Sequence, residues 1–126
     1  MNPMKLQHVS TPFPTGRQAD VRRFYGELLG LTEVEVPRTL DASRLVWYSA
    51  GDGLELHFFS GDLAPGSARH FCLDVADLGE TRRRLTEGGF GPYDDTPIPN
   101  RPRFFCRDPF DNLVELTSIQ GDYRAG

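Results

Sequence analysis

The sequence has few of the residues that mark disulfide-rich, membrane-spanning or nucleic-acid-binding proteins. Its 126 residues include only two cysteines, Cys72 and Cys106, which form no CxxC pair, so we expect reduced thiols. No apolar run approaches the roughly 20 residues that cross a bilayer. Acidic residues outnumber basic ones, 18 to 14, and this balance lacks the basic surface typical of a nucleic-acid-binding protein.

The rest of the composition is that of an ordinary globular protein. Hydrophobic residues make up 38% of the chain and charged residues 25%. The first ten residues, MNPMKLQHVS, carry no apolar signal region. We therefore expect a cytoplasmic protein with neither a membrane nor a nucleic acid as partner. A chain of 126 residues suits a single domain, 1–126.

Hydrophobic periodicity predicts that one order of elements occurs twice. In the first module, 5–60, apolar residues of QADVRRFYGELLG recur at helical spacing between short strands. In the second module, 68–120, ARHFCLDV predicts a strand, and DLGETRRRLTEGG predicts a helix with Asp77 as its N-cap. Each module thus has the order βαβββ, and the segment 60–67, SGDLAPGS, has the composition of a linker.

A histidine and a glutamate recur at corresponding places in the two modules. His8 and His70 are 62 residues apart, and Glu55 and Glu115 are 60 residues apart. Each module opens with a strand that bears the histidine and closes with a strand that bears the glutamate. This recurrence indicates an internal repeat.

Strand alternation predicts that these four residues, with His57 beside Glu55, lie on one side of a sheet, because apolar neighbours occupy the other side. For any one of them, a solvent-facing position is the alternative, since antiparallel sheets often have one wet face. Two imidazoles and two carboxylates together suit a divalent metal such as Zn, Ni, Co, Mn or Fe(II).

At these residues the sequence resembles the vicinal oxygen chelate superfamily, which includes type I glyoxalases, extradiol dioxygenases, fosfomycin-resistance proteins and bleomycin-binding proteins. The resemblance runs from Leu6 to about Ile119 and depends on LQHV, FYGELLGL, LELHFF, RHFCLDVADL and RFFCRDPFDNLVEL. It implies an α+β fold in which two βαβββ modules form a curled mixed sheet that closes around a metal site. The family usually has DPxGN before its closing strand, whereas Asp111 stands in place of the glycine in this sequence.

The resemblance implies a metal-dependent enzyme that acts on a small substrate with neighbouring oxygens, of the glyoxalase lyase or isomerase type, and a homodimer. The implied metal ligands are His8, Glu55, His70 and Glu115. One of the two glutamates would also serve as general base, and His57 as an acid/base residue. Whether Glu55 or His57 is the fourth ligand stays open.

Two other functions are compatible with the same resemblance. An extradiol ring-cleavage dioxygenase would bind Fe(II) through three ligands, His8, His70 and Glu115. A binding protein of the bleomycin-resistance kind would need no metal. The complete set of two histidines and two glutamates argues against that second alternative.

Three more side chains are candidates for contacts with a substrate: Arg103, Tyr48 and Phe105. Arg103 would bind an anionic group, Tyr48 would orient a substrate oxygen, and Phe105 shares the strand face of Arg103. A purely structural role is the alternative for each. Trp47 is expected to pack against its neighbours, and the tail 121–126 is expected to fray.

Overall fold

The computed structural model describes residues 6–62 and 66–124. The chain divides into two compact units, Met1–Leu63 and Ala64–Gly126, and the division falls inside the predicted linker. The fold class is α+β, since each unit combines a mixed sheet with a helix. In the described ranges, no helix is long and apolar enough to cross a membrane.

The first unit contains a four-stranded sheet and one main helix. Its elements are β1 (His8–Phe13), α1 (Gln18–Val21) with a π-helical continuation (Arg22–Leu28), β2 (Thr32–Val34), a 3-10 turn (Ala42–Arg44), β3 (Leu45–Ser49) and β4 (Glu55–Ser60). The strand order is β1-β4-β3-β2. Strand β1 runs parallel to β4, and the other pairs are antiparallel. Because β1 lies at the edge of the sheet, it tolerates Pro12.

The apolar face of the first helix builds the core of this unit, as the helical spacing predicts. Phe24 and Tyr25 are fully buried, and the Tyr25 ring lies 4.3 Å from the Phe58 ring of β4. Gly26 allows the helix to approach Tyr48 of β3, because a Cβ atom at Gly26 would lie 3.0 Å from the hydroxyl oxygen of Tyr48. The helix therefore packs on one side of the sheet and leaves the other side to His57 and its neighbours.

A tight hairpin turn joins β3 and β4. Gly51, Asp52 and Gly53 have φ angles of 86°, 50° and 79°, in the left-handed region that glycine and aspartate tolerate best. The Ala50 N–H donates to the Leu54 carbonyl at 2.7 Å. The turn fixes the register of β4, and with it the side of the sheet to which Glu55 and His57 point.

The second unit contains a three-stranded sheet and one helix. Its elements are β5 (His70–Asp74), α2 (Leu78–Glu87), β6 (Arg103–Arg107) and β7 (Leu113–Thr117). The order is β5-β7-β6, with β5 parallel and β6 antiparallel to β7. Helix α2 begins as predicted, because the Asp77 carboxylate accepts the Glu80 backbone N–H at 3.0 Å.

The second unit departs from the predicted βαβββ order in one strand. Between α2 and β6 there is only an isolated bridge, in which Tyr93 and Phe105 exchange backbone hydrogen bonds of 2.8 and 2.9 Å. Pro92, Pro97 and Pro99 have no N–H to donate to a ladder. Within the residues that the structure describes, there is no closed sheet, and the two sheets have four and three strands.

The turn before β7 is closed by the side chain of Asp108 and by the backbone conformation of Asp111. One Asp108 carboxylate oxygen accepts the backbone N–H groups of Phe110 and Asn112, at 2.8 and 2.9 Å. Asp111 has a φ of 70°, so the aspartate adopts the left-handed conformation itself. This turn delivers β7, and Glu115 with it, into the sheet.

Candidate functional site

In the second unit, His70 and Glu115 form a close donor pair. His70 begins β5, and Glu115 lies at the middle of β7 with 3% of its surface exposed. His70 Nε2 is 3.2 Å from Glu115 Oε1. The other ring nitrogen, Nδ1, lies 3.1 Å from the Ala68 carbonyl oxygen. A carbonyl oxygen only accepts, so Nδ1 carries the proton of this hydrogen bond.

Two arginines hold the second oxygen of the Glu115 carboxylate. Arg101 Nη2 donates to Oε2 at 3.0 Å, and Arg103 Nη1 donates to the same atom at 3.4 Å. Arg103 also donates to the Thr96 carbonyl from Nε and Nη2. The two carboxylate oxygens therefore have separate partners: Oε1 faces His70, and Oε2 faces the guanidinium groups.

Phe105 and Arg103 lie beside this pair, as the shared strand face predicts. The Phe105 ring contacts the edge of the His70 ring, with centroids 5.2 Å apart and an 82° angle between planes. The Arg103 guanidinium lies 5.2 Å from the centroid of the Phe105 ring. Phe105 is buried, and its ring contacts both His70 and Arg103.

In the first unit, His8 and Glu55 are direct partners across the parallel strands β1 and β4. His57 Nε2 lies 2.8 Å from Glu55 Oε1. This hydrogen bond lowers the pKa of Glu55 below its ordinary value. His8 Nδ1 lies 2.7 Å from Gln7 Oε1. Both first-strand histidines, His8 and His70, thus have Nδ1 beside an oxygen atom.

Three rings stack on the same face of the first sheet. The ring centroids of His8 and His57 are 4.1 Å apart, and the planes differ by 15°. Trp47 covers the opposite face of His57 at 3.6 Å, with planes 3° apart. Trp47 therefore packs, as expected, but it packs against a candidate site residue and fixes the plane of the His57 ring.

Tyr48 lies apart from these donors. It alternates with Trp47 on β3 and points to the helix side, where it is 1% exposed. Burial raises the pKa of Tyr48 to about 12. The structure therefore places its hydroxyl in the core of the first unit, close to Gly26, and does not bring it to the face that carries His57.

Two residues beside the donor pair of the second unit were not predicted from the sequence, namely Arg101 and Cys72. Cys72 pairs with Glu115 across β5 and β7, and its Sγ accepts from Arg101 Nη2 at 3.6 Å. Burial of Sγ raises the pKa of the Cys72 thiol, although the residue as a whole is exposed. Strand alternation could have identified Cys72, because Cys72 follows His70 by two residues on the same strand and so points to the same face. Arg101 lies in an irregular segment, where no periodicity indicates the direction of a side chain.

The described donors form pairs rather than a metal cluster. Across residues 6–62 and 66–124, no three His, Cys, Asp or Glu side chains are grouped closely enough to hold a metal ion. What each unit provides is a pair: His70 with Glu115 in the second unit, and Glu55 with His57 in the first.

Solved structures similar to this chain include enzymes and binding proteins. A Bacillus anthracis protein assigned to the glyoxalase family has 28% identity and a TM-score of 0.84, over 94% of this chain and 98% of that one. Lactoylglutathione lyase from Agrobacterium tumefaciens has 20% identity and a TM-score of 0.69, over 93% and 95%. The antibiotic-binding protein TnmS3 from Streptomyces sp. CB03234 has 22% identity and a TM-score of 0.74, over 94% and 98%.

No curated protein matches the sequence. The model of one family matches residues 5–116, from the first module into the last strand of the second, and this range includes all five candidate donor residues. The chain belongs to the Glyoxalase/Bleomycin resistance protein/Dioxygenase superfamily.

Proposed function

We propose that this chain is a metal-dependent enzyme of its superfamily, a lyase or isomerase of the glyoxalase type that acts on a small substrate with neighbouring oxygens. The proposed ligands of the divalent metal are His8, Glu55, His70 and Glu115. The observation that carries the proposal is the 3.2 Å approach of His70 Nε2 to Glu115 Oε1. The chain belongs to a superfamily, and the structures similar to the chain include a lyase and a binding protein. This membership supports the proposed class of enzyme but does not identify the substrate.

The donor pair of the second unit fits a metal on chemical grounds. With its proton on Nδ1, a neutral His70 has a lone pair on Nε2, and this lone pair faces a carboxylate oxygen. Two lone pairs at this distance need a cation or a proton between them. A divalent metal with bonds of about 2.0–2.2 Å places adjacent ligand atoms about 3 Å apart, close to the observed separation.

In the first unit, the geometry favours Glu55 over His57 as the second ligand beside His8. Parallel stacked rings direct their nitrogen lone pairs side by side, so His8 and His57 do not point at one common atom. His57 instead lies within hydrogen-bonding distance of Glu55 and covers one face of His8. This is the arrangement in which a neighbouring group orients a ligand.

The strand register supports the opposite assignment, with His57 as the ligand. Glu115 pairs with Cys72, two residues beyond His70. In the first unit, the residue that pairs two positions beyond His8 is His57, opposite Ser10. Glu55→Gln and His57→Gln therefore separate the two assignments, because only the true ligand's replacement removes a metal bond.

A bound divalent metal would polarise the neighbouring oxygens of a substrate. The residues of the chain would supply the proton transfer. The hydrogen bond from His57 lowers the pKa of Glu55, so Glu55 is ionised at neutral pH and able to accept a proton. Glu115 is also a candidate base, but two arginines hold its Oε2, which favours a fixed ligand role for Glu115 and the base role for Glu55.

A metal-free binding protein is the second candidate function, and one observation favours it. Arg101 and Arg103 already compensate the charge of Glu115, so this carboxylate does not depend on a metal for its counter-charge. An antibiotic-binding protein is also among the similar structures. If the protein is a metal-free binding protein, its small-molecule ligand will bind to His70→Ala with the same affinity as to the wild type.

Metal analysis of the purified protein tests the proposal. Metal-stripped protein is reloaded with Zn, Ni, Co, Mn or Fe(II), and bound metal is measured by mass spectrometry. We expect about one metal per chain, and a loss of affinity of more than about 100-fold in His70→Ala and Glu115→Gln. Glu33→Gln, which removes an exposed carboxylate paired with Arg22, is the matched control and should bind like the wild type.

Two further measurements extend this test. Trp47 is the only tryptophan and stacks on His57, so metal binding in the first unit should change its fluorescence. If Glu55→Gln and His57→Gln both keep full affinity while Glu115→Gln does not, the three-ligand Fe(II) dioxygenase replaces the glyoxalase-type assignment. Light scattering of the purified protein tests the proposed homodimer.

A further inference from the structure

We propose that the C-terminal segment 118–124 positions Arg101 through the ring of Tyr123, and that Arg101 thereby holds Glu115 with its Oε1 turned toward His70. Tyr123 and Arg101 are positioning residues in this proposal. The inference rests on the proposed function, because it assigns a role to residues behind one of the proposed ligands.

The two arginines on Glu115 differ in what holds them. Arg103 lies in strand β6 and donates twice to the Thr96 carbonyl, so its place is fixed by its own strand and a neighbouring loop. Arg101 precedes the strand, in an irregular segment. Its Nη2 reaches Glu115 Oε2 at 3.0 Å, and its Nε is buried without a hydrogen-bond partner. Besides Glu115, Arg101 has Cys72 as a described polar side-chain partner, whose Sγ accepts from Nη2 at 3.6 Å, so the Nε side of the guanidinium group is left without polar support.

The Tyr123 ring adds a contact to the guanidinium group of Arg101. The guanidinium carbon of Arg101 lies 5.0 Å from the centroid of the Tyr123 ring, which is the range of a cation–π contact. The ring covers a face of the guanidinium group, while Nη2 at its edge remains free to donate to Glu115. Removal of the ring would leave the Arg101 side chain held only through Nη2, by Glu115 and Cys72, and so less firmly oriented toward the carboxylate.

The segment that carries Tyr123 is itself fastened to the residue before Arg101. The Gln120 N–H donates to the Asn100 carbonyl at 2.8 Å. The Asn100 side-chain amide donates to the Asp122 carbonyl at 3.0 Å. The tail 121–126 is expected to fray, whereas in the structure Asp122 is held by the hydrogen bond from Asn100; residues 125–126 lie outside the described part. Two bonds through Asn100 place the Tyr123 ring beside Arg101.

The test uses the full chain and Co²⁺ alone as the probe. Metal-stripped wild type, Tyr123→Ala, Tyr123→Phe and Arg101→Met are loaded stepwise with Co²⁺, and both affinity and the visible absorption of the bound ion are recorded. Arg101→Met should weaken binding by about 10–100-fold, as expected for a group behind a ligand. Tyr123→Ala should weaken binding by about 3–10-fold and alter the absorption bands, whereas Tyr123→Phe, which keeps the ring, should restore both.

Arg124→Met is the matched control. The Arg124 guanidinium also lies against the Tyr123 ring, 4.8 Å from its centroid, but it has no described contact with Glu115. It should bind Co²⁺ like the wild type. If Tyr123→Ala keeps wild-type affinity and absorption, or if Tyr123→Phe fails to restore them, the positioning role is refuted.

A second readout decides the inference without metal. If the wild type binds no Co²⁺, the proposed function fails, and NMR of the metal-free protein then tests the positioning role alone. The buried Nε–H of Arg101 should give an ordered signal in the wild type and in Tyr123→Phe, and a mobile one in Tyr123→Ala. A mobile Arg101 in the wild type would overturn the inference.

Discussion

Replacing Glu115 by glutamine should destabilise the metal-free protein strongly, whereas the same change at Glu55 should not. Both glutamates lie next to a histidine on a strand. Glu115 is 3% exposed and accepts from Arg101 and Arg103. The Glu55 side chain is 29% exposed and has His57 and Gln7 as hydrogen-bond partners. The two substitutions therefore remove the same charge from two different environments.

The magnitude follows from what is left behind. Removal of one partner from a fully buried ion pair costs about 3–5 kcal/mol, because the other charge stays desolvated. The side chains of Arg101 and Arg103 are 20% and 15% exposed, and glutamine keeps one oxygen that can accept from them. We therefore expect Glu115→Gln to lower the free energy of unfolding by about 2–4 kcal/mol, and Glu55→Gln by less than about 1 kcal/mol.

Urea unfolding at neutral pH, with a chelator present throughout, measures both effects. The chelator separates the arginine pairing from any metal contribution to stability. The double variant Glu115→Gln with Arg101→Met should be less destabilised than the sum of the single variants, since the orphaned guanidinium is gone. Equal costs at the two glutamates, or a cost below about 0.5 kcal/mol at Glu115, would refute this reasoning.

Three further predictions concern the thiols, the first-unit carboxylate and the turn before β7. A thiol reagent at neutral pH should label Cys72 and leave Cys106 unmodified until the protein unfolds. Cys106 is fully buried, and burial raises the pKa of its thiol to about 11. Rapid labelling of both thiols in the folded protein would contradict this prediction. The pKa of Glu55 is lowered by its hydrogen bond from His57, so the stability from this pair is present above the ordinary value of 4.5 and is lost as the pH falls through the lower folded value. Acid unfolding should therefore show the difference between the wild type and Glu55→Gln shrinking as the pH falls below the ordinary value of 4.5. The free energy of unfolding of Asp111→Gly should stay within about 1 kcal/mol of the wild-type value, whereas Asp111→Val should lower it by at least about 1–2 kcal/mol, because a branched residue resists the φ of 70°. Equal stability of the two variants would count against the strained turn.

Features set by neighbouring residues in the chain could be predicted from the sequence. The Asp77 cap, the Gly51–Gly53 turn and the buried face of the first helix each depend on a few adjacent positions. Strand alternation also predicted that His57 and Glu55 share a face and that Arg103 and Phe105 do. These predictions hold because side-chain direction in a strand has a strict period of two.

Features that depend on contacts between distant segments could not be predicted in this way. The stack of His8, His57 and Trp47 requires the register of three strands. The widening of the first helix, in which the Leu29 N–H reaches back to the Phe24 carbonyl, has no local sequence signal. The order βαβββ predicts a strand between α2 and β6 of the second unit. The prolines of this segment leave only a single β-bridge there.

The side of the sheet to which Tyr48 points could not be predicted, for a different reason. Alternation on β3 correctly separates it from Trp47, but it does not say which of the two faces holds the helix. The close approach to Gly26 decides that Tyr48 lies on the helix side. A polar tip on an aromatic ring is compatible with either side, so only the packing of the helix could settle the point.

Calorimetric titration of metal-stripped protein with Zn²⁺ tests most directly whether His70 and Glu115 hold a divalent metal. We expect the wild type to bind about one Zn²⁺ per chain and Glu115→Gln to lose that binding, provided that circular dichroism shows the variant to be folded. A wild type that takes up no Zn²⁺, Ni²⁺, Co²⁺, Mn²⁺ or Fe²⁺, or a folded Glu115→Gln variant with undiminished affinity, would contradict the account.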